Sequence, residues 1–399
     1  MTKIGSAVEG RRGKISEKTR SLPRVTSSEL ADTVEALRAQ GKEVLTLNGA
    51  PFWSPPDHVL QAAREAGSAN ENAPSMGFLE LRKAIADKLE NEGVTVDPKH
   101  QVIVTNGAMH GLSLVFTALL DPGEEVVLFD PSFFFFGIIK LAGGVPVYAE
   151  TRQENNWRWN AGSLESMITS RTKLILLNSP SNPTGYVATH QDLAAIAEVA
   201  RKHHLIVVSD ECYDNMIYDN LRHIRLASVP ELADRTISVC SFTKTLAMQP
   251  WRIGFVAAPV YLAEQLQKTL EWTVLRCSHV AQRAAQAALR GPQEWTREIP
   301  TRFQHCRDIA IRDLKSARRV SFVVPQAAPF LFINVSDTAM SGTEFSRLLL
   351  NRYGVPTDPG SFFGSENHVR FAFGANDDVI QEAAKRVVAA SVEPLVAGK

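Results

Sequence analysis

Residues 241–255, SFTKTLAMQPWRIGF, bring two hydroxyl side chains, a lysine and an arginine into one short segment. Ser241, Thr243 and Arg252 are residue types that bind phosphate, because hydroxyls and the planar guanidinium donate hydrogen bonds to its oxygens. Lys244 carries an amine that bonds covalently to carbonyl compounds when it is uncharged. Lysine and arginine are also mostly exposed in proteins, so a solvated loop is the competing interpretation. The segment predicts either a surface loop or a site where a lysine carries a phosphorylated ligand.

A second candidate anion site lies in VTNGAMHGLSL, where Asn106, Gly107 and Ala108 follow a strand pattern and open a helical one. Small residues let backbone N–H groups approach an anion, and the helix dipole favours a phosphate at that end. An ordinary Asn-Gly turn is the alternative. The loop NSPSNPTG, residues 178–185, could aim Asn182 inward, but a tight surface turn is an equally good interpretation.

The run VVSDECYD places Asp210 at the end of a strongly apolar strand, with Tyr213 shortly after it. An unpaired carboxylate is costly to bury, so Asp210 needs a cationic partner. One candidate partner is a heterocycle with a protonated ring nitrogen and a neighbouring phenolic oxygen. The other interpretation is a salt-bridged strand-end aspartate beside a core tyrosine.

The elements that must position these residues alternate between strand and helix patterns from about residue 101 to 260. Short apolar runs predict strands, namely QVIVT, EEVVLF, TKLILLN, LIVVSD and TISVCS, whereas HQDLAAIAEVARKHH has helical spacing. The alternation predicts an α/β fold with a mostly parallel central sheet and helices on both faces. Ligands of such sheets bind beyond the carboxyl ends of the strands, where the candidate residues lie.

The carboxyl-terminal part has a different pattern and predicts a smaller α/β layer. Its predicted helices and strands are TRFQHCRDIAIRDLKSA, FLFINV, GTEFSRLLLNRYG, HVRFAFG and NDDVIQEAAKRVVAA. The length of 399 residues is consistent with about two domains. We predict an amino-terminal arm with part of the small domain over residues 1–59, a large cofactor domain over 60–297, and a carboxyl-terminal small domain over 298–399.

Composition excludes several classes of function. The formal net charge of +0 lacks the basic excess that nucleic-acid binding requires. The 4 cysteines are scattered without metal-ligand spacing, which predicts reduced thiols in a cytoplasmic protein and no metal site. The polar, basic amino terminus lacks the apolar stretch of a secretory signal and predicts a mobile arm. No apolar window is long enough to cross a bilayer, so we expect no membrane partner.

Taken together, the motifs resemble the class I/II pyridoxal-phosphate (PLP) aminotransferases of fold type I, the aspartate aminotransferase-like group. The resemblance begins near VLTLNGAPFWSPP, includes GFLELRKAIADKL, and ends with GVPTDPGSFFG and HVRFAFG. The motifs occur in family order over most of the chain, which makes coincidence an inadequate explanation. The resemblance implies the type I fold, PLP as cofactor, and amino-group exchange between an L-amino acid and a 2-oxo acid by a ping-pong mechanism.

The resemblance also implies a role for each candidate residue. Lys244 would bind the cofactor aldehyde and carry a proton between the substrate Cα and the cofactor C4′. Asp210 would pair with the protonated pyridine nitrogen, while Asn182 and Tyr213 would hydrogen-bond the phenolic oxygen of the ring. Phe133 would stack on the ring, and a core helix is a sufficient explanation for the other phenylalanines of that run. The phosphate end of the cofactor site would contain Gly107, Ala108, Met109, Ser241, Thr243 and Arg252.

The substrate side depends on Arg370, in HVRFAFG, whose guanidinium would hold the α-carboxylate in a bidentate way that lysine cannot copy. A surface-strand arginine is the alternative. Asn182 would also contact the substrate, and Gly49 would leave room for its carboxylate. Trp53 could line the pocket or belong to the core. With no second arginine in a recognisable motif, we expect neutral or aromatic amino acids to be preferred as donors.

Three positions depart from the family pattern. Asn72 stands where most members have a tyrosine that reaches the cofactor phosphate of the neighbouring subunit, so we expect a homodimer with shared sites. Pro250 replaces a glycine, which removes a backbone N–H, and Met109 replaces a more polar residue. These departures leave open another PLP reaction on the same scaffold, such as a β-lyase, a cyclising synthase or an amino-acid oxidase. A non-catalytic PLP-binding regulatory protein is a further alternative.

Overall fold

A computed structural model describes residues 15–49, 53–69 and 71–393 of the chain. The predicted amino-terminal arm falls largely on residues 1–14, which lie outside this description. The helices are α1 Glu17–Arg20, α2 Thr26–Ala39, α3 Asp57–Ser68, α4 Leu79–Glu90, α5 Ala108–Leu119, α6 Phe136–Leu141, α7 Ala161–Ser166, α8 His190–Lys202, α9 Phe242–Thr245, α10 Val260–Thr273, α11 His279–Arg290, α12 Glu294–Leu314, α13 Gly342–Tyr353 and α14 Asp377–Ser391. The strands are β1 Val102–Thr105, β2 Glu125–Asp130, β3 Val145–Glu150, β4 Thr172–Asn178, β5 Ile206–Asp210, β6 Thr236–Ser241, β7 Gly254–Ala257, β8 Ser321–Phe322, β9 Phe330–Asn334, β10 Asp358–Pro359 and β11 His368–Ala372.

In the described part of the chain, seven strands form the central sheet in the order β1-β7-β6-β5-β4-β2-β3. The neighbours from β6 to β3 are parallel, whereas β7 is antiparallel to both β1 and β6. The predicted mostly parallel sheet is therefore confirmed. β3 and β7 were not predicted. β3 is an edge strand with one fully buried residue, Ala149, so it lacks an apolar run. β7, GFVA, begins with a glycine, a residue that weakens a strand pattern.

Alternating residues of the central strands pack against helices on opposite faces. Val126 and Leu128 of β2 join a core cluster that contains residues of α5 and α10. Val127 and Phe129, between and after them, join a different cluster that contains residues of α8. The same alternation recurs in β4 and β5. Because both faces are covered, these strands are apolar throughout, which explains why the sequence shows continuous runs there.

The parallel arrangement places the ends of four strands along one edge of the sheet. β1 ends at Thr105, β4 at Asn178, β5 at Asp210 and β6 at Ser241. Asn178 and Asp210 are direct partners in the β4–β5 register. Each of these ends leads into a segment that carries predicted site residues, so one sheet edge collects them.

A second sheet contains the strands β10-β11-β9-β8, all antiparallel. Helices α12, α13 and α14 cover it, and Phe345, Phe371 and Val387 lie in their shared core. The predicted helix beginning at residue 301 begins at Glu294 instead. Pro300 lies inside it, where a proline signals a helix start or break, but burial of neighbouring Ile299 in the core holds the longer helix together.

The two sheets correspond to the two kinds of layer that the sequence predicts. The proposed boundaries at 59/60 and 297/298 fall inside α3 and α12, so the division into domains stays a prediction. In the part of the chain that the structure describes, no helix is both long enough and apolar enough to cross a membrane.

Candidate active site

A cavity of about 360 Å³ lies at the edge where the central strands end. Most of the predicted site residues line it, namely Ala108, Met109, Phe133, Asn182, Asp210, Tyr213, Ser241, Thr243, Lys244, Arg252 and Arg370. Arg370 belongs to β11, so the second sheet supplies one wall of this cavity. The fold therefore brings the predicted cofactor residues and the predicted carboxylate-binding arginine together.

Lys244 lies in α9, immediately after the end of β6. Its carbonyl accepts a hydrogen bond from Trp53 Nε1 at 3.1 Å, and its Nζ lies 4.8 Å from the centre of the Trp53 ring. Trp53 therefore lines the cavity. Burial, with the charges of Arg370 and Arg252, lowers the pKa of Lys244 to about 8. A fraction of this amine is uncharged near neutral pH, as covalent bonding to a carbonyl requires.

The segments around Arg252 form a cradle suited to an anion. Ser241 Oγ accepts a hydrogen bond from the Thr243 N–H at 3.1 Å, and Arg252 Nη1 lies 3.4 Å from Thr243 Oγ1. Gly107 has a φ of +80°, and a Cβ at this position would lie 2.8 Å from Arg252 Nη2. Glycine thus lets the start of α5, at Ala108, approach the guanidinium closely. Two hydroxyls, a guanidinium and a helix start converge here.

Asp210 is buried at the end of β5, and its Oδ1 accepts a hydrogen bond from the Cys212 N–H at 3.1 Å. Burial raises its pKa to about 6, with the neighbouring charge of Glu211 adding to the effect. The sequence predicts a cationic partner for Asp210. Within residues 15–49, 53–69 and 71–393, no cation is among the groups that shift this pKa. The described part of the chain therefore leaves this carboxylate without a cationic partner.

Asn178, the last residue of β4, positions the loop that carries Asn182. Its Nδ2 donates to the Asp210 carbonyl at 3.1 Å, and its Oδ1 accepts from the Asn182 N–H at 2.8 Å. Residues 179–188 are buried, so the surface-turn interpretation of this loop is wrong. Burial raises the pKa of Tyr213, while Arg370 and a hydrogen bond with Asn182 act in the opposite direction. Tyr213 therefore stays a protonated phenol that can donate a hydrogen bond.

Arg370 is buried, which makes the surface-strand interpretation wrong. Its Nη1 donates to Asn182 Oδ1 at 2.8 Å, and its Nη2 donates to Asp358 Oδ2 at 2.7 Å. The guanidinium carbon lies 4.2 Å from the ring centre of Phe330 and 4.7 Å from that of Phe363. Contacts on several sides hold the guanidinium in place without using all of its donors.

Four consecutive phenylalanines take different positions. Phe133 and Phe134 both line the cavity, with ring centres 3.8 Å apart. Phe135 packs in the core beside α5, and Phe136 begins α6. The sequence predicts that Phe133 stacks on the cofactor ring and allows a core helix for the other three. Phe134 adds a second aromatic ring to the same wall, which makes this side of the cavity strongly apolar.

Three predicted residues do not line the cavity. Gly107 lies beside Arg252, as described above, and Gly49 is exposed next to Asn48, which does line it. Asn72 is exposed in the segment before α4. A position on the surface of one chain is compatible with the predicted contact across a dimer, and that contact stays a prediction.

The other two departures from the family pattern are Pro250 and Met109. Pro250 is exposed in a 3₁₀ turn over Gln249–Trp251, immediately before Arg252, which has a left-handed φ of 53°. Met109 lines the cavity in the first turn of α5. Pro250 thus lies where the missing N–H costs little, because the first turn of a helix leaves such groups unpaired.

Four residues at or beside the site were not predicted from the sequence, namely Asp358, Phe330, Cys212 and Leu112. Leu112 lies one turn along α5 from Ala108, and Cys212 lies between Asp210 and Tyr213, so helical spacing and adjacency could have found them. Asp358 forms β10 with Pro359 alone, and such a short strand has no periodicity to read. Its place beside Arg370 follows from sheet register, which the sequence does not state.

The residues present fit PLP. The buried Asp210 carboxylate faces the cavity without a cation from the described part of the chain, as a site for a protonated pyridine nitrogen requires. The Lys244 amine, with its lowered pKa, lines the same cavity. The anion cradle at Arg252 suits the phosphate. The fold and these donors define a class of protein that binds a phosphorylated, carbonyl-bearing heterocycle through a lysine.

Comparisons with known proteins identify the family. The family model described as aminotransferase class I and II matches residues 43–387. An aspartate aminotransferase of Pyrococcus abyssi is 36% identical over 355 residues, which are 87% of this chain and 91% of that protein. Aromatic-amino-acid aminotransferase 2 of Thermococcus litoralis is 33% identical over 359 residues, 88% of this chain and 92% of that protein. The crystal structure of an aromatic aminotransferase from Pyrococcus horikoshii OT3 has a TM-score of 0.83 at 35% identity, covering 90% of this chain and 98% of that one.

The chain therefore belongs to the class I and II aminotransferases. It is a PLP-dependent aminotransferase of fold type I, as the motifs predict. The named relatives include both aspartate and aromatic enzymes, so their names do not decide between these two substrate classes.

Proposed function

We propose that this enzyme exchanges an amino group between a neutral or aromatic L-amino acid and a 2-oxo acid, with Lys244 as its catalytic base. The observation that carries the proposal is the Lys244 amine, with a pKa lowered to about 8, in the same cavity as the Asp210 carboxylate, for which the described residues supply no cation. A base with a pKa near the working pH serves proton transfer best.

PLP would be held by Lys244, Asp210, Asn182, Tyr213 and Phe133, with its phosphate at the Arg252 cradle. When bound, the cofactor supplies an electron sink that stabilises negative charge at the substrate Cα. The Asp210 carboxylate would keep the ring nitrogen protonated, since its own charge is costly to bury unless a cation neutralises it. Tyr213, as a protonated phenol, would donate a hydrogen bond to the phenolic oxygen of the ring.

Lys244 would remove the proton from the substrate Cα and would then return a proton at the cofactor C4′. Only the uncharged amine can accept that proton. Burial and the charges of Arg370 and Arg252 favour this form, and Trp53 covers the amine on one side.

Arg370 would bind the substrate α-carboxylate, with Asn182 beside it. The two residues are already hydrogen-bonded at 2.8 Å, so the site is preorganised before the substrate arrives. A substrate held at its carboxylate presents its Cα to Lys244 in a fixed orientation. Arginine can do this with two parallel hydrogen bonds.

The side-chain preference rests on what lines the rest of the cavity. Phe133, Phe134, Leu112 and Phe330 offer apolar surface. In the described part of this chain, the cations that line the cavity are Lys244, Arg252 and Arg370, all of which have other proposed roles. Phenylalanine and leucine should therefore give higher kcat/KM than aspartate in a donor screen, and a higher value for aspartate would contradict the preference.

We also propose a homodimer in which Asn72 completes the cofactor site of the partner. The exposed position of Asn72, outside the cavity of its own chain, supports this arrangement. Cytoplasmic location stays a prediction from the cysteines, which are unpaired in the described residues.

Borohydride trapping tests the central assignment. The reagent should fix PLP irreversibly on the peptide that contains Lys244, and Lys244→Ala should lower turnover by about 10⁴-fold. Lys268→Ala, at an exposed helix position, is the control and should leave turnover unchanged. PLP trapped on another lysine would refute the assignment.

A labelled donor separates amino transfer from the alternatives. With a ¹⁵N-labelled amino acid, the label should appear in the acceptor as a new amino acid. Label released as ammonia would indicate a lyase or oxidase on the same scaffold.

A further inference from the structure

Asp358 is a buried carboxylate that contacts Arg370, the residue proposed to bind the substrate carboxylate. The two residues are direct partners in the β10–β11 register. Asp358 Oδ2 accepts from Arg370 Nη2 at 2.7 Å and from Arg370 Nε at 3.2 Å. The exposed fractions of the two side chains are only 8% for Arg370 and 10% for Asp358. Water therefore screens this pair much less than it screens an ion pair on the surface.

The hydrogen bonds leave part of the guanidinium available. An arginine side chain has five N–H groups. Nε and Nη2 each donate one to Asp358, and Nη1 donates one to Asn182. Among the contacts of the described residues, this leaves one N–H on each Nη nitrogen. Two such groups are what a single carboxylate needs for parallel hydrogen bonds.

Asp358 already neutralises the positive charge of the Arg370 guanidinium, although two of the guanidinium N–H groups stay available. Arg370 lines the cavity, whereas Asp358 lies outside the set of residues that line it. A substrate carboxylate would thus meet the donors of Arg370 with the negative charge of Asp358 close behind them. One carboxylate is compensated by two charge-assisted hydrogen bonds. A second carboxylate on the same substrate adds repulsion from Asp358.

We infer that Asp358 is a specificity-determining residue, which makes the site select substrates with one carboxylate over substrates with two. The inference rests on the proposed function, in that Arg370 must be the carboxylate site. It adds a residue that does not touch the substrate and acts through Arg370. It also gives the proposed preference for neutral and aromatic donors an electrostatic cause in addition to the apolar wall.

Asp358→Asn separates the charge of this residue from its geometry. The amide oxygen can still accept from Nε and Nη2, so Arg370 keeps its orientation while the negative charge is lost. If Asp358 served only to orient Arg370, the variant, which keeps that orientation, would leave the binding of mono- and dicarboxylates unchanged. If its charge sets specificity, dicarboxylates gain more.

Butanoate and succinate provide a matched pair of probes, because they have the same number of carbons and differ in one carboxylate. Isothermal titration of the PLP-loaded protein should show that Asp358→Asn tightens succinate binding about tenfold and butanoate binding about threefold. The kcat/KM of aspartate relative to phenylalanine should rise by about threefold as well. Equal changes for the two probes, or weaker binding of both, would overturn the inference.

Three further variants make the outcome specific. Asp219→Asn removes a carboxylate that pairs with buried Arg307 outside the cavity, and it should leave the ratio of the two probes unchanged. Asp358→Ser removes the charge by a different route and should shift the ratio in the same direction as Asp358→Asn, which keeps the test valid if the amide variant folds poorly. Arg370→Lys tests the proposed function itself. If it weakens neither probe, Arg370 is not the carboxylate site; if it weakens both while Asp358→Asn leaves the ratio unchanged, only the inference about Asp358 fails.

Discussion

Asp210 and Glu211 are consecutive carboxylates at the end of β5, and both are buried. Asp210 lines the cavity, and burial raises its pKa to about 6. Glu211 accepts hydrogen bonds from Ser209 Oγ at 2.8 Å and from Arg225. Burial alone would raise the pKa of Glu211, but the Arg225 guanidinium, with His223 and Ser209, lowers it to about 2. Two neighbours of the same chemical type thus have opposite electrostatic environments.

The difference distinguishes a buried carboxylate that the protein itself neutralises, Glu211, from one that a bound ligand would neutralise, Asp210. Glu211 belongs to a network in which Arg225 also pairs with Asp214 at 2.6 Å, and Asp214 accepts from Thr245 Oγ1 at 2.7 Å. In the sequence, Glu211 follows Asp210, Asp214 follows Tyr213, and Thr245 follows Lys244. The network therefore helps to hold in place the segments that carry these three cavity residues. The chain compensates those charges itself because they hold the segments in place. Among the described residues, nothing compensates the Asp210 carboxylate, which costs free energy until a cation binds.

The largest expected effect comes from removing Arg225, the cation that pairs with Glu211 and Asp214. Arg225→Met should lower the free energy of unfolding by about 3–5 kcal/mol, because it removes the guanidinium partner of the buried Glu211 carboxylate and leaves Asp214 paired with Lys88 alone. Urea unfolding of the purified protein measures this change. Arg312→Met is the control, since Arg312 pairs with its neighbour Asp313 on the surface, and it should leave the unfolding midpoint unchanged. An equal loss in both variants would mean that burial of the network contributes nothing.

This network shows where sequence reasoning stops. Asp210 and Ser241 could be placed because each ends an apolar run and the runs belong to parallel strands. Arg225 precedes only a short 3₁₀ turn, Leu226–Ser228, and nothing in its spacing indicates that it meets Glu211 and Asp214. Long-range pairs of this kind depend on how the loops return to the sheet. No periodicity in a single sequence indicates such a pair.

The same limit applies to the second sheet. Its longer strands, β9 and β11, and the helices α13 and α14 could be predicted because alternation and helical spacing are strong there. Asp358 could not be predicted as a partner of Arg370, because a strand of two residues carries no pattern. The family resemblance located Arg370 itself, since that residue stands in a motif. Motifs therefore predicted the groups that touch ligands better than the groups that support them.

The next effect comes from removing the uncompensated charge. Asp210→Asn should lower kcat/KM by about 10²–10³-fold, because the ring nitrogen of bound PLP loses the carboxylate that keeps it protonated. The same change should stabilise the PLP-free protein at pH 8 by about 2 kcal/mol, since an isolated buried charge is removed. Glu211→Gln, measured beside it, should destabilise the protein at pH 8. Loss of stability in both variants would contradict the contrast between the two carboxylates.

The pH dependence of folding stability predicts the direction of both stability changes independently. The pKa of Asp210 is raised from 3.8 to about 6, so between these values the folded state holds more protons than the unfolded state, and stability falls as pH rises. The gain from Asp210→Asn should thus disappear near pH 4. The pKa of Glu211 is lowered from 4.5 to about 2, so its contribution is present above pH 4.5 and is lost as pH falls towards 2. Unfolding curves of the PLP-free protein between pH 4 and pH 8 measure the first trend.

The smallest expected effect concerns Asn72, a polar group that neither the interior nor the cavity of its own chain uses. If its amide donates to the cofactor phosphate of the partner, Asn72→Ala should weaken PLP retention by about ten- to a hundredfold, as loss of one hydrogen bond to a charged group predicts. Asn351→Ala, at an exposed position of α13, is the control and should retain PLP normally. Light scattering should report a dimer, and a fully active monomer would exclude the shared site.

Mixing two inactive or weakened variants decides whether Asn72 acts on its own chain or across the dimer. A hybrid of Lys244→Ala and Asn72→Ala subunits contains one site that combines an intact Lys244 from one chain with an intact Asn72 from the other. If Asn72 acts across the interface, this hybrid should regain tight PLP binding at that one site after the subunits exchange. If Asn72 acts within its own chain, neither site of the hybrid has both residues, and retention stays as weak as in the Asn72→Ala homodimer. Absence of rescue in verified hybrids would therefore move Asn72 out of the shared site, while leaving the roles of Asp210 and Lys244 untouched.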